Sequence, residues 1–137
     1  MPKAPDYWNT PPKPWLKPLA MLYGWSGRVR NALVTPLKLP VPVICIGNVV
    51  AGGAGKTPVV IAFAHYLKMQ GHNPHILTRG YGGRAKHPLR VEPHHTALEV
   101  GDEALLLAKH APCWVDANRR RSARLAIQAG ATHLLMD

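Results

Sequence analysis

A glycine-rich segment carries the clearest chemical signal in this sequence. Residues 52–58 read Gly-Gly-Ala-Gly-Lys-Thr-Pro, and they stand between an apolar stretch and a helical pattern. Glycines let backbone N–H groups approach phosphate oxygens closely, and the amino end of a following helix adds its positive dipole end. The segment therefore predicts a phosphate-binding loop.

The side chains of this loop have expected roles. The Lys56 ammonium would lie along the β- and γ-phosphates of a nucleotide, and the Thr57 hydroxyl would bind Mg²⁺. The usual GxxxxGK[ST] pattern has glycine where this sequence has Val50. A nucleotide and Mg²⁺ are therefore the predicted ligands of this loop. The residues expected to bind the nucleotide are Ala51, Gly52, Gly53, Ala54, Gly55, Lys56, Thr57 and Pro58.

From residue 40 onward, short apolar runs rich in β-formers alternate with helical patterns. We predict strands at 41–46, 75–78, 89–91, 113–115 and 133–136, and helices at 57–69, 102–109 and 119–129. This alternation is typical of a parallel sheet with helices on both faces. The predicted fold is α/β, a P-loop NTPase-like parallel sheet flanked by helices, in a domain covering residues 41–137. The sequence stops at Asp137, directly after a predicted strand, which indicates a truncated domain.

Residues 1–40 form a separate region that is rich in proline, tryptophan and basic residues. Apolar residues recur at helical spacing between Trp15 and Val34, with lysines and arginines beside them. This amphipathic pattern fits a helix that associates with a membrane surface, and it fits a helix that packs on the following domain equally well. Pro18 and Gly24 interrupt the pattern, so either one helix or two short ones would satisfy it.

Composition limits the partners. The chain has 17 basic and 7 acidic residues and a formal net charge of +10, which favours an anionic partner. A nucleic-acid-binding module would need aromatic residues among its cations, but most aromatics lie near the amino end, so we expect no nucleic acid partner. No uncharged span is long enough to cross a bilayer. Cys45 and Cys113 stand inside apolar runs and are expected to be small buried hydrophobes.

Four blocks of sequence together resemble the tetraacyldisaccharide 4'-kinase family. They cover residues 40–58, 78–84, 100–108 and 118–121, and their order and spacing are more specific than the loop alone. The resemblance implies a kinase that transfers the γ-phosphate of ATP to the 4'-hydroxyl of a tetraacyldisaccharide 1-phosphate, a lipid A precursor. It also implies that residues 1–40 dock on the cytoplasmic face of the bacterial inner membrane. A membrane-associated P-loop ATPase that switches partner binding is the alternative.

The resemblance also implies catalytic and metal-binding residues. Asp102 would act as the base that accepts the proton of the sugar hydroxyl, with Lys56 as the second catalytic residue. Judged from the residues alone, Gly101-Asp102-Glu103 is also an ordinary helix-capping arrangement. Glu103 and Asp137 would join Thr57 in binding the metal.

Substrate contacts are expected from basic and aromatic residues in two blocks. Arg79 and Tyr81, in a glycine-rich loop after a strand, and Arg119, at the start of a helix, are the candidates. A solvated loop and an exposed cationic helix face are the respective alternatives. His94 and His95 are expected in a surface loop.

Overall fold

The computed structural model describes residues 14–33, 35–47 and 55–137. Val50 and the loop residues Ala51, Gly52, Gly53 and Ala54 lie outside the described residues. The chain divides into two compact units, Met1–Leu37 and Lys38–Asp137. The functional assignment of the predicted domains, residues 1–40 and 41–137, stays a prediction.

The described residues of the amino-terminal unit contain one α-helix. A 3₁₀ turn at Pro14–Leu16 leads into α1, Lys17–Leu33. The helix is not divided, because Pro18 lies in the first turn, where its missing N–H has no intrahelical partner to lose. None of the residues of α1 is buried. In the part of the chain that is described, no helix has both the length and the apolar character needed to cross a membrane.

The second unit alternates strands and helices. Its elements are β1 (Val43–Cys45), α2 (Lys56–Met69), β2 (Pro74–Thr78), β3 (Leu89–Arg90), α3 (Ala97–Val100), α4 (Asp102–Ala108), β4 (Cys113–Val115), α5 (Arg119–Gln128) and β5 (His133–Met136). In the described residues the strands form one sheet in the order β1-β5-β2-β4-β3. The predicted strands and long helices are all present, whereas the short helix α3 was not predicted.

The sheet is parallel except at one edge. Strands β1, β5, β2 and β4 run parallel, as predicted, but β3 pairs antiparallel with β4. The connection from β2 to β3, residues 79–88, contains no helix, and a parallel crossover needs such an element. The predicted parallel pairing therefore does not extend to Leu89–Arg90, which forms an edge of the sheet, where a strand at residues 89–91 was considered.

Helices cover both faces of the sheet, as predicted. Side chains alternate between the faces along each strand. Ile76 and Leu135 join a core cluster with residues of α2 and α4, whereas Leu77, Trp114 and Leu134 join a second cluster with residues of α5. The alternating strands therefore supply two separate cores, and the sheet is the layer between them.

The two cysteines differ in environment. Cys113 is fully buried, as predicted, and burial raises the pKa of its thiol to about 12, with the nearby carboxylates of Asp137 and Glu103 adding to the effect. Cys45 is exposed, so its predicted burial is wrong. The reason is its place on β1 at the edge of the sheet, where Val43 is also exposed and only Ile44 between them is half-buried.

Candidate functional site

The carboxyl ends of the parallel strands meet at one edge of the sheet, where open α/β sheets bind ligands. Strand β5 lies between β1 and β2. Asp137 follows β5 directly, so it lies between the carboxyl ends of β1 and β2, and the 79–84 loop leaves β2 on one side of it. This topology brings Asp137 close to Lys56 at the amino end of α2, although the two residues are far apart in sequence.

The amino end of α2 carries the described part of the phosphate loop. Gly55 precedes the helix with φ of 70°, in the left-handed region that glycine adopts without strain. The helix begins at Lys56, and the side chains of Lys56 and Thr57 are half-buried, while Pro58 is exposed. The first N–H groups of a helix lack intrahelical acceptors, so this end can bind an anion.

A short hydrogen bond connects this helix end to α4. The Thr57 hydroxyl donates to Oε1 of Glu103 at 2.5 Å. Glu103 is the second residue of α4, directly after Asp102, which is exposed. Gly101 is the N-cap residue of α4, and Asp102 and Glu103 both lie in the first turn of the helix. Carboxylates are favoured at this end of a helix, so the helix-start arrangement predicted for this block is confirmed.

Asp137 belongs to the same cluster. Burial raises the pKa of its carboxyl group, and the charge of Glu103 and a hydrogen bond with it raise the pKa further, while Lys56 and Arg119 act in the opposite direction. Its Oδ1 atom is buried and has no hydrogen-bond partner among the described residues. Glu103 is thus close enough for its charge to oppose the ionisation of Asp137.

The arrangement fits a magnesium ion. Mg²⁺ prefers oxygen ligands such as carboxylates, and it usually keeps water or phosphate oxygens as further ligands. The Thr57 hydroxyl and the Glu103 and Asp137 carboxylates offer such oxygens, and a cation between the carboxylates would remove their mutual repulsion. No group of three or more His, Cys, Asp or Glu side chains in the described ranges has metal-site geometry. The ion would therefore need nucleotide oxygens to complete its coordination.

Arg119 lies in this cluster and not on an exposed helix face. It is the first residue of α5, it is half-buried, and its guanidinium group donates a hydrogen bond to the backbone carbonyl of Asp137. Asn118 caps the helix by accepting a hydrogen bond from the N–H of Arg120 at 3.1 Å. The exposed-face alternative is therefore wrong for Arg119.

The sequence did not indicate the buried ion pair next to it. Asp116 directly follows β4 and is only 1% exposed. Arg121 donates to both of its carboxylate oxygens, at 3.0 and 2.9 Å, and the N–H of Asn118 adds a third bond at 2.9 Å. An acidic residue directly after an apolar strand at the ligand-binding edge is the signal that could have identified Asp116.

The other predicted residues lie at the surface. Arg79 and Tyr81 follow β2 on the 79–84 loop, and Tyr81 is 93% exposed. His94 and His95 lie in the loop between β3 and α3, as expected, and His95 accepts a hydrogen bond from the N–H of Glu92 at 2.8 Å. The roles of Arg79 and Tyr81 stay predictions.

Comparisons with known proteins agree with these features. The family model of LpxK, tetraacyldisaccharide-1-P 4'-kinase, matches residues 12–137. A tetraacyldisaccharide 4'-kinase of Parvibaculum lavamentivorans is 52% identical over 123 residues, covering 89% of this chain and 36% of the relative. A tetraacyldisaccharide 4'-kinase of Gluconacetobacter diazotrophicus is 51% identical over an alignment that covers 98% of this chain and 42% of the relative.

A solved structure has the same fold. A crystal structure of LpxK from Aquifex aeolicus in complex with ATP superposes with a TM-score of 0.73 at 32% identity, over 88% of this chain and 42% of that chain. The chain therefore spans roughly two fifths of the length of the relatives that it matches. By the extent of these matches, the chain belongs to the tetraacyldisaccharide-1-P 4'-kinase family.

Proposed function

We propose that this chain forms the nucleotide-binding part of a lipid kinase that transfers the γ-phosphate of ATP to the 4'-hydroxyl of a tetraacyldisaccharide 1-phosphate. The observation that carries the proposal is the Thr57–Glu103 hydrogen bond, because it joins the end of the phosphate loop to the turn that bears Asp102. Relatives named for this reaction and a solved relative in complex with ATP support it.

The donor half of the site is built from α2 and the strand ends. Lys56 contacts the β- and γ-phosphates, and the first N–H groups of α2 bind phosphate oxygens. Thr57, Glu103 and Asp137 would hold Mg²⁺, and the bound ion would neutralise charge on the phosphates. Arg119, close to Asp137, adds a further positive charge on this side of the site.

The acceptor half depends on Asp102. Its exposed carboxylate accepts the proton of the sugar 4'-hydroxyl while that oxygen forms a bond to the γ-phosphorus. The bond between the γ-phosphorus and the bridging oxygen breaks, and ADP leaves with the electron pair. Arg79 and Tyr81, exposed on the neighbouring loop, bind the phosphate and sugar groups of the lipid.

The surface of α1 suits contact with an anionic membrane. The helix contains Lys17, Arg28 and Arg30 and no acidic residue. Its exposed large apolar side chains, together with that of the preceding turn, are those of Trp15, Leu19, Met21, Leu22, Tyr23, Trp25, Val29 and Leu33. Such a helix binds in the interface of a bilayer, which supports a peripheral position on the cytoplasmic face of the inner membrane, where the lipid substrate would be reached.

A phosphorylation assay tests the proposal. Radiolabelled ATP, Mg²⁺ and the disaccharide 1-phosphate lipid are incubated with this chain, and with this chain continued by the carboxyl-terminal part of the Parvibaculum relative. We expect label in the lipid from the continued chain, lost in Lys56→Ala and Asp102→Ala and retained in Lys109→Ala, a matched change of an exposed lysine. ATP hydrolysis without labelled lipid would contradict the kinase proposal and favour the alternative, a membrane-associated P-loop ATPase that switches partner binding.

A vesicle assay tests the membrane contact. The chain is sedimented with vesicles of neutral phospholipid, or with vesicles that contain an anionic phospholipid. We expect binding to the anionic vesicles that weakens with salt, and a blue shift of tryptophan fluorescence that is smaller in Trp15→Ala and Trp25→Ala. An equal amount of the chain in the pellet with and without vesicles would contradict this part of the proposal.

A further inference from the structure

We infer that Gly80, Gly83 and Gly101 are positioning residues for Asp102, because they allow the loop after β2 to lie in direct backbone contact with the turn before α4. The inference rests on the proposed role of Asp102 as the base. It goes beyond that role, since it assigns the positioning of the Asp102 carboxylate to three glycine residues.

The contact is close in both directions. A methyl group added at Gly83 would lie 2.7 Å from the carbonyl carbon of Val100 and 2.8 Å from the carbonyl oxygen of Glu99. One added at Gly101 would lie 2.5 Å from the carbonyl oxygen of Tyr81. Carbon atoms do not approach backbone atoms this closely, so each segment excludes a side chain on the other.

Gly80 closes the same interface at its inner side. A methyl group there would lie 2.9 Å from the carbonyl oxygen of Val100 and 2.2 Å from Cγ1 of Val115 on β4. The loop is thereby held between the core strand and the turn before α4. The three glycines therefore permit two segments of the same chain to approach each other closely.

Backbone hydrogen bonds fasten the two segments together. The N–H of Arg84 donates to the carbonyl oxygens of Leu98 and Glu99, at 3.1 and 3.0 Å, and the N–H of Ala85 donates to that of Glu99 at 3.0 Å. These acceptors belong to α3, whose last turn is closed by the N–H of Gly101 bonding to the carbonyl oxygen of Ala97 at 2.8 Å. The short helix α3 thus connects the loop to the residue directly before Asp102.

The amino end of α3 is also fixed. The backbone N–H and the hydroxyl of Thr96 both donate to Oε2 of Glu99, at 2.7 and 2.9 Å. The exposed Arg79 and Tyr81 and the base Asp102 are therefore carried by one hydrogen-bonded backbone assembly. A displacement of about 1 Å at a reacting group can cost about a hundredfold in rate, so this assembly has a direct effect on turnover.

A pair of glycine variants separates collision from backbone strain. Gly83→Ala introduces the collision alone, because Gly83 does not have a positive φ. Gly82→Ala is the matched control in the same loop, because Gly82 has φ of 82° and no atom within 4 Å of an added methyl group. Each is combined with Asp102→Ala in the continued chain, and kcat, KM for ATP and ATP affinity are measured.

We expect Gly83→Ala to lower kcat about a hundredfold while ATP affinity changes less than about twofold. Asp102→Ala should lower kcat by a much smaller factor in the Gly83→Ala background than in the unchanged protein. In the Gly82→Ala background it should lower kcat by the same factor as in the unchanged protein. Equal factors in all backgrounds would overturn the inference and leave the proposed function standing. An Asp102→Ala variant as active as the unchanged protein would instead remove the proposed function itself.

Glu99→Ala keeps the test decisive if Gly83→Ala does not fold. It removes the two bonds from Thr96 and adds no bulk. We expect a several-fold loss of kcat, faster hydrogen exchange at the amides of Arg84 and Ala85, and the same reduced effect of Asp102→Ala. Faster exchange with an undiminished effect of Asp102→Ala would show that the assembly does not position the base.

Discussion

Thr57 and Glu103 are separated by 46 positions in sequence and meet through a hydrogen bond of 2.5 Å. The bond joins the amino ends of α2 and α4, and both helices direct their positive dipole ends toward the same place. Because these ends also carry Lys56 and Asp102, one contact sets the distance between the donor and acceptor halves of the proposed site.

Replacement of Thr57 by valine should affect nucleotide binding only when the metal is present. Valine has a similar shape but lacks the hydroxyl group, so the bond to Glu103 and the proposed magnesium ligand are both lost. We expect about tenfold weaker ATP binding in Mg²⁺, measured by calorimetric titration, and little difference from the unchanged chain in EDTA. Thr57→Ser, which keeps the hydroxyl, is the control. An equal loss in EDTA would contradict a metal role.

Removal of Arg121 should destabilise the fold. The change to alanine leaves the Asp116 carboxylate buried with only one of its hydrogen bonds, and a buried charge without its partner is costly. Because the Arg121 side chain is half exposed, water screens part of this cost, and we expect a loss of about 2 kcal/mol in the free energy of unfolding by urea. Arg124→Ala, a change at an exposed position of the same helix, should cost less than about 0.5 kcal/mol.

Stability should fall between neutral and mildly acidic pH because of His75. Burial, with a smaller effect from the charge of Arg90, lowers the pKa of this histidine from 6.5 to about 4. The unfolded chain therefore takes up a proton on His75 below pH 6.5 while the folded chain does not, so the contribution is complete above pH 6.5 and is lost as pH falls toward 4. We expect a loss of about 2 kcal/mol over this window.

The variant His75→Gln provides the comparison for that measurement. Glutamine does not titrate, and its side chain can still accept the hydrogen bond that Trp114 donates to Nδ1 of His75 at 3.1 Å. Urea unfolding of both proteins at pH 7 and pH 4.5 isolates the contribution of this group from that of the other histidines. An identical change in the free energy of unfolding between pH 7 and pH 4.5 in the two proteins would show that His75 does not cause the loss of stability.

The two cysteines should react at very different rates. Cys45 is exposed on the edge strand, whereas Cys113 is buried and its raised pKa keeps it in the unreactive thiol form. A maleimide at pH 7 should label one thiol per native chain and two per chain in urea, as read by mass spectrometry. Cys45→Ser should leave the native chain unlabelled. Native labelling of Cys113 at the rate of Cys45 would contradict its burial.

The sequence predicted the order and type of the main elements because their local patterns agree with the fold. The strand Cys113–Val115 and the strand His133–Met136 have the predicted bounds, and Gly71 and Gly130 follow the ends of helices α2 and α5 closely. Alternation of strand and helix also predicted the parallel pairing of the central strands. These features depend on residues that are close together in the sequence, so local sequence patterns are enough to predict them.

Other features depend on contacts that no local window contains. The exposure of Cys45 depends on which strand lies at the edge, and the antiparallel direction of Leu89–Arg90 depends on the path of the preceding loop. The ion pair of Asp116 with Arg121 depends on where the turn after β4 directs α5. The phosphate contact of Lys56 was predicted from the glycine-rich loop, whereas the roles of Asp102 and Glu103 were implied by a family resemblance. The chemistry of all three stays a prediction.

The order of the strands has a consequence for how the protein is made. Strands β1 and β2 pair with β5 and not with each other, although β5 is the last of these three strands to be synthesised. Until residues 133–136 are made, β1 has no pairing partner among the described strands. The central pairings of the sheet therefore form late in the synthesis of this segment, and the same strand that joins β1 to β2 carries Asp137 between the two halves of the proposed site.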